Sequence, residues 1–278
     1  RIEGGRALKE LTVHIIQSDV LWGNPSGNIA RMEKRLEEIP GGPSLVVLPE
    51  LWTCSYDNTG LREHALSSPS ALEMMSRVCA DKGFFLVGGS LPWVESSGEL
   101  YNRAFFIGDS GEIMGSYDKA HLFPLLDEPL FFEAGKSPFL FDLMGIPSAI
   151  AICYDIRYPE FMRSLALTGA ELIVVPAEWP TARIDHWETL LRARAIENQV
   201  FVVGCNRSGE GGGQVFGGRS LVFGPDGSTV TRCPDEGEMI ASVSIEPTLV
   251  GKIRKKLPFT GGRNPLLYSP VTALDEKP

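Results

Sequence analysis

The chain has 278 residues, of which 43% are hydrophobic and 22% charged, an ordinary globular balance with enough apolar mass for a sizeable core. A formal net charge of -9 and a pI near 5.1 exclude nucleic acid and an anionic membrane surface as main partners. No apolar run reaches the roughly 18–20 residues that cross a bilayer. No apolar h-region follows the basic start, so no signal peptide is expected. Five cysteines, Cys54, Cys79, Cys153, Cys205 and Cys233, are odd in number, scattered and outside any zinc or iron–sulfur spacing. They predict free thiols in a reducing cytoplasm, with no bound metal.

Residues 1–10, "RIEGGRALKE", are polar and glycine-containing and read as a lead-in or an expression remnant. Residues 11–278 hold no repeat, linker or composition shift, which predicts one domain. "LTVHIIQSDV" is rich in β-branched residues and predicts a first strand. "NIARMEKRLEEIP" has helical periodicity and stops before a proline. "SLVVLPEL" is a continuous apolar run, as in a strand buried on both faces. Residues 70–82 predict a helix, "FFLVGGSLPW" a strand, and residues 101–119 a strand pair reversing at Gly111. An irregular stretch follows, and then a strand ending at Cys153. Pro159 opens a helix that stops at Gly169. "ELIVVPAEW" predicts a strand, residues 183–199 a long helix, and "QVFVVGCNRSG" a strand ending in a polar loop. "GRSLVFGPDGSTV" is a hairpin turning at Asp226-Gly227, and residues near 246–256 are helical before an extended tail. Strands alternate with helices but hairpins interrupt the rhythm, which favours mixed sheets covered by helices.

Apolar strands that end abruptly in charge mark ligand sites in such folds, because ligands sit outside the carboxyl ends of the strands. Three places qualify: "VVLPE" at Glu50, "SYDKAHLFP" at Lys119 and "IAICYD" at Cys153. Each has a plain alternative. A lone Glu caps a helix or faces water, a lone Lys lies on the surface, and a buried free Cys behaves as a small hydrophobe. Together they admit a nucleophilic site, in which a Glu takes the thiol proton and a Lys stabilises a thiolate or an oxyanion.

"VVLPELWTCSYD", "YDKAHLFP" and "AICYDIRYPE", in that order, resemble the nitrilase superfamily of carbon–nitrogen hydrolases. The resemblance extends through "PAEWP", "HWETLLRARAIENQVFVVGCNRSG" and "GRSLVFGPDG", covering roughly residues 11–265. It implies an α/β fold, a four-layer α-β-β-α sandwich with two mixed sheets, and a homodimer or higher homo-oligomer. It also implies roles: Glu50 as general base, Lys119 as the cation at the tetrahedral intermediate, and Cys153 as nucleophile. Glu128 of "LLDEPLFFEAG" matches the family's second glutamate, with Asp127 and Glu133 close by. The Tyr154 N–H would complete the oxyanion hole and Trp179 would line the pocket. The implied mechanism uses no cofactor and no metal.

The most similar branch is that of the bacterial ω-amidases, which cleave monoamides of short dicarboxylates. The alternatives are an N-carbamoyl or aliphatic amidase, a nitrilase, and, from another class, a non-catalytic binding protein. An ω-amidase must hold a remote carboxylate, and Arg183, near the start of the long helix, is the sequence candidate; a solvated or interface arginine is the competing reading. Asp155, Arg157 and Glu160 read as a hydrogen-bonded scaffold for the Cys153 turn, and His186 as structural. Arg194 and Asn198 share a helix face with Trp187, Leu190, Leu191 and Ala195, so they must find partners at sheet ends or in an interface.

Overall fold

The structure is a computed structural model and describes residues 8–268. In chain order the strands are β1 (Leu11–Gln17), β2 (Leu45–Val47), β3 (Phe85–Val87), β4 (Leu91–Val94), β5 (Leu100–Ile107), β6 (Ile113–Asp118), β7 (Phe139–Leu143), β8 (Ile146–Ile150), β9 (Leu172–Ala177), β10 (Phe201–Asn206), β11 (Ser208–Gly211), β12 (Gln214–Gly217), β13 (Leu221–Phe223), β14 (Thr229–Arg232) and β15 (Met239–Ile245). They form two mixed sheets and a small β11–β12 hairpin. The first sheet runs β15-β1-β2-β3-β5-β4, with β6 also on β5, and the second runs β14-β13-β10-β9-β8-β7. Each is built on three parallel strands, β1-β2-β3 and β8-β9-β10.

Period-2 alternation sorts the first sheet into two faces. Val13, Ile15, Val47, Val87, Ala104 and Phe106 face the second sheet, where they meet Ile150, Val174 and Val203. Ile16, Val46, Leu86, Phe105 and Ile107 face outwards, onto helices α1 (Pro25–Glu38) and α2 (Ser68–Lys82) through Met32, Leu36, Met75 and Val78. The outer face of the second sheet is covered by α3 (Pro159–Leu167) and α4 (Ile184–Asn198), through Met162, Leu165, Trp187 and Leu191. The architecture is therefore α-β-β-α. All six residues of β9 and of β10 are buried, as the unbroken apolar runs require. Gly204 in β10 lets α4 approach, since a Cβ there would lie 2.6 Å from Leu191 Cδ1. Cys205 lies between the sheets, its thiol donating to the Ile16 and Val47 carbonyls, each at 3.4 Å.

The sequence expectation fails in a few places. "FFLVGGSLPW" is two strands, because the chain turns at Gly89, where φ is 63° and a Cβ would meet the Pro49 carbonyl at 2.0 Å. The hairpin β11–β12 and the strand β15 were not anticipated, their alternation being diluted by Gly, Ser and Glu. The expected helix near 246–256 is α5 (Thr248–Lys256), but the chain after it makes 3-10 turns at Phe259–Gly262 and Pro265–Leu267 rather than extending. Residues 1–7 of the lead-in and the last ten of the tail lie outside the described residues.

Candidate active site

The topology draws Glu50, Lys119, Cys153 and Glu178 to one end of the sandwich. Glu50 follows parallel strand β2, Cys153 follows β8, Glu178 follows β9, and Lys119 follows β6, which runs antiparallel to β5 and so shares the β2 direction. This is the carboxyl end of both parallel cores.

Lys119 is 1% exposed and is held by three oxygens. Its Nζ donates to Glu50 Oε1 at 2.8 Å, to Glu128 Oε2 at 2.7 Å and to the Tyr56 hydroxyl at 2.9 Å. Glu50 and Glu128 are both 0% exposed. Glu50 accepts three further bonds, from Tyr56 Oη at 2.6 Å, Asn102 Nδ2 at 2.8 Å and the Glu178 N–H at 2.9 Å. Glu128 accepts from Asn102 Nδ2 at 2.9 Å and from the Phe123 N–H at 2.7 Å. Its loop, Phe123 to Phe132, is thereby folded inwards, with Asp127 in a left-handed conformation at φ 55°.

These environments push the two carboxyls apart. Burial raises Glu50, but the Lys119 charge and the hydrogen bonds from Lys119, Tyr56 and Glu178 outweigh it and leave Glu50 below its ordinary value. Burial also raises Glu128, and the Glu50 charge adds to it; Lys119 does not fully compensate, so Glu128 ends above its ordinary value. For Lys119, burial acts downwards, but the charges of Glu128 and Glu50 prevail and hold the ammonium well above the usual range. A pair of carboxyls separated in this way supplies one ready base and one group that retains a proton more readily.

Cys153 is 6% exposed and adopts φ 45°, an unfavourable region for a residue with a Cβ. It opens the 3-10 turn Cys153–Arg157 that β8 feeds. Asp155 fixes this turn. Its carboxylate accepts from the Ile152 N–H at 2.7 Å, Tyr117 Oη at 2.8 Å, the His121 N–H at 3.0 Å and His121 Nδ1 at 2.7 Å. The turn that carries the thiol is thus tied to the strand end that carries Lys119. Arg194, as its place on the helix face required, donates to the Ile156 carbonyl at 2.8 Å, and Asn198 donates to the Arg194 carbonyl at 2.9 Å. Burial pushes the Cys153 thiol well above its usual range, the Glu50 charge pushes the same way, and Lys119 pulls it down. Such a thiol reacts only when a base takes its proton. The start of a helical turn leaves N–H groups without intrahelical acceptors. Among the described residues the first backbone bond of the turn is Asp155 N–H to the Ile152 carbonyl, so the Tyr154 N–H is left over.

A narrow cleft opens on Cys153 and is lined by Tyr56, Phe123, Tyr154, Arg157, Glu178, Trp179 and Arg183, among others. Trp179 is pinned by its Nε1–H to the Arg183 carbonyl at 2.7 Å and by its backbone N–H to Asn206 Oδ1 at 2.6 Å. Arg183 lies over the Phe123 ring, 5.6 Å from its centroid. Arg157 lies over Trp179 at 4.9 Å and Tyr154 at 5.9 Å. Among the described residues no carboxylate forms an ion pair with either arginine.

The structure thus brings Glu50, Lys119, Glu128, Cys153, Tyr154, Trp179 and Arg183 together around one cleft, while other residues singled out in the sequence fall elsewhere. Asp155 is a scaffold, but Arg157 faces the cleft and its side-chain bond goes to His186 Nδ1 at 3.4 Å rather than to the turn. Glu160 is exposed. Cys54 is buried close to Glu178 and does not line the cleft; burial pushes its thiol far above the usual value. Tyr56, Asn102 and Glu178 were missed. Tyr56 lay in the quoted "VVLPELWTCSYD", six residues from the Glu50 it bonds, but nothing in a lone Tyr or Asn marks a hydrogen bond to a buried carboxylate.

A family model for carbon-nitrogen hydrolase matches residues 12–255. The 2-oxoglutaramate amidase of Bacillus subtilis is 37% identical over 249 residues, spanning 89% of this chain and 95% of that protein. The omega-amidase YafV of Escherichia coli is 31% identical over 251 residues, spanning 89% and 94%. A CN-hydrolase superfamily protein of Xanthomonas campestris, solved with an arsenic adduct in its active site, superposes with a TM-score of 0.86 at 28% identity over 92% of this chain and 98% of that one. An amidase from Nesterenkonia, in which acrylamide has added to the active-site cysteine, gives 0.77 at 25% identity over 89% and 98%. With the family model spanning most of its length and two curated relatives above 30% identity, the chain belongs to the carbon–nitrogen hydrolase family.

Proposed function

We propose that the chain is an ω-amidase, a cysteine-dependent hydrolase that releases ammonia from monoamides of short dicarboxylates. The observation that carries the reading is a buried thiol beside a Glu–Lys–Glu cluster, at the floor of a cleft rimmed by two arginines without carboxylate partners. Cys153 is the nucleophile, Glu50 the base and Lys119 the oxyanion cation, with the Tyr154 N–H as second oxyanion donor. Glu50 takes the thiol proton as sulfur adds to the amide carbonyl. The oxyanion rests on Lys119 and Tyr154. As the carbon–nitrogen bond breaks, Glu50 returns the proton to the leaving nitrogen, and ammonia departs from a thioester. Water then adds to the thioester carbonyl, losing a proton to the carboxylate, and the acid leaves as the thiol is regenerated. Glu128 holds Lys119 and orients the amide. The cysteine adduct in the Nesterenkonia amidase supports the nucleophile, and the names of the Bacillus and Escherichia relatives support the substrate class.

Arg157 and Arg183 supply the charge that a free carboxylate needs on leaving water. Trp179 and Phe123 stiffen the two arginines by ring contact. The test is kinetic. Succinamate or 2-oxoglutaramate should exceed butyramide in kcat/KM. Arg157→Ala and Arg183→Ala should each lower only the charged substrates, by about 1.5–3 kcal/mol for one charge-assisted contact. A wild type that prefers butyramide makes it an aliphatic amidase. Equal losses on both substrates remove the arginines from carboxylate recognition.

The same proposal takes residues 11–278 as one hydrolase domain working in the cytoplasm. Cys54, Cys79, Cys153, Cys205 and Cys233 are all free thiols, which supports a reducing compartment. Exposed Leu167, Ile196 and Phe259 support a homodimer or larger assembly. No helix of the described residues is long and apolar enough to cross a membrane.

A further inference from the structure

Glu178 is 1% exposed, lines the cleft, and was assigned no role above. Its Oε2 accepts from Ser55 Oγ at 2.8 Å, while its Oε1 has no hydrogen-bond partner among the described residues. Arg207 pairs with that oxygen only at 3.6 Å, beyond hydrogen-bond distance, and most of its N–H groups donate elsewhere. Nη1 donates to Ser55 Oγ at 2.8 Å, Nε to the Ser208 carbonyl at 3.1 Å, and Nη2 to Asp19 Oδ1 at 3.0 Å and the Val20 carbonyl at 2.9 Å. Buried polar atoms without a hydrogen-bond partner are rare, and an ion pair this long offsets the burial of a carboxylate only in part. Two further contacts link Glu178 to the Glu50 cluster. Its backbone N–H donates to Glu50 Oε2, and Ser55, which its carboxyl holds at φ 59°, precedes Tyr56, the residue bonded to Glu50 Oε1 and Lys119.

We propose that Glu178 is a positioning residue for Glu50: its carboxyl, carrying a proton in the working enzyme, seats the Ser55–Tyr56 segment without adding a second negative charge beside the base. The proposal rests on Glu50 acting as the base. The charges that face Glu178 are Glu50 and Lys119 from the first sheet, Arg207 after β10, the Cys54 thiol from the loop, and Cys153, Arg157 and Arg183 across the cleft. Burial dominates and the Glu50 charge adds to it, so Arg207, Ser55 and Lys119 do not prevent the Glu178 carboxyl from rising to about 8. Once ionised, Glu178 adds negative charge where the thiolate and the oxyanion must form, and turnover falls.

The experiment compares wild type, Glu178→Gln and Glu178→Ala between pH 6 and 9.5. With a group near 8, the protonated fraction falls about tenfold from pH 7 to 9, and wild-type kcat should follow it. Gln is isosteric and cannot ionise, so its profile should lack that fall. Ala, which leaves Ser55 without its acceptor, should lose kcat with little change in KM, and Gln should recover most of that loss. Identical alkaline limbs in wild type and Glu178→Gln overturn the proposal, as does an Ala variant with wild-type kcat. A second readout needs no turnover. An acid whose folded value lies above its ordinary 4.5 binds its proton more tightly when folded, so stability declines as pH rises from about 4.5 to 8. The Tm of Glu178→Gln relative to wild type should therefore climb across that window, and a flat difference refutes the bound proton. Should Cys153→Ala remain active, the amidase reading fails, while the Tm comparison still decides the protonation of Glu178.

Discussion

Replacing Lys119 with Met tests the centre of the site, because one ammonium serves two purposes there. In the resting protein its Nζ is the cation for two carboxyls, Glu50 at 2.8 Å and Glu128 at 2.7 Å, with no solvent exposure on any of the three side chains. In the reaction it faces the developing oxyanion. Met fills similar volume but removes the charge and all three donors. Loss of one oxyanion donor costs about 2.7–4 kcal/mol, a rate loss of about 100- to 1,000-fold. The resting state suffers as well, since removing one partner of a buried ion pair costs about 3–5 kcal/mol. Part of that loss is recovered by proton uptake, because without Lys119 the burial that raises both carboxyls loses its main counterweight. The stability deficit of Lys119→Met should therefore shrink as pH is lowered, where those carboxyls are protonated in the unfolded chain too. Steady-state ammonia release gives kcat and KM, and urea unfolding at two pH values gives the stability. Arg should not rescue, because its planar fork cannot meet three convergent oxygens as an ammonium does. A rate change below about fivefold would move Lys119 to a purely structural role.

The other outcomes are simpler to read. Cys153→Ala should abolish turnover while the fold survives, and wild type incubated with substrate should carry a transient acyl adduct on Cys153 by mass spectrometry; an active Ala variant ends the nucleophile assignment. Asp155→Ala leaves the buried Ile152 N–H and Tyr117 hydroxyl without an acceptor, at about 1–3 kcal/mol each, and urea unfolding should register a loss in that range or above. A cost under about 1 kcal/mol would show that the Cys153 turn does not depend on Asp155.

The parallel strands were legible because burial on both faces leaves an unbroken apolar signature, as in "LIVVPA" of β9 and "FVVGCN" of β10. Strand β15 was not, because the alternation of "MIASVSI" is carried by small and weakly apolar residues. It is specified instead by its partner, pairing along the whole of β1 from Leu11 with Ile245 to Gln17 with Met239, and pairing across so long a sequence separation has no local trace. The split of "FFLVGGSLPW" was hidden for a similar reason. The two glycines were visible, but the cause of the turn, the Pro49 carbonyl pressed against Gly89, belongs to the loop after β2.

The site divides along the same line. Glu50, Lys119 and Cys153 announce themselves because a strand ends just before each, and the strand direction then fixes which end of the sandwich they share. What makes them chemically different from ordinary buried residues is supplied by side chains with no such signature. Asn102 sits in mid-strand in β5 and donates both to Glu50 and to Glu128, joining the two carboxyls across the sheet edge. Tyr56 accepts from Lys119 and donates to Glu50, so it orders the proton between acid and base. Remove those two, and the same Glu, Lys and Cys would still be adjacent, but Lys119 would lose an acceptor and both carboxylates would lose donors. Proximity is thus set by topology, which patterning reveals, and reactivity by polar partners distant in sequence, which it does not. Arg157 shows how this misleads: its place two residues after Asp155 predicted a shared scaffold, yet the 3-10 turn rotates Asp155 inwards to Tyr117 and Arg157 outwards over Trp179. A helical turn separates residues two apart onto different faces, so one motif contributes both the brace of the nucleophile and a cation of the cleft.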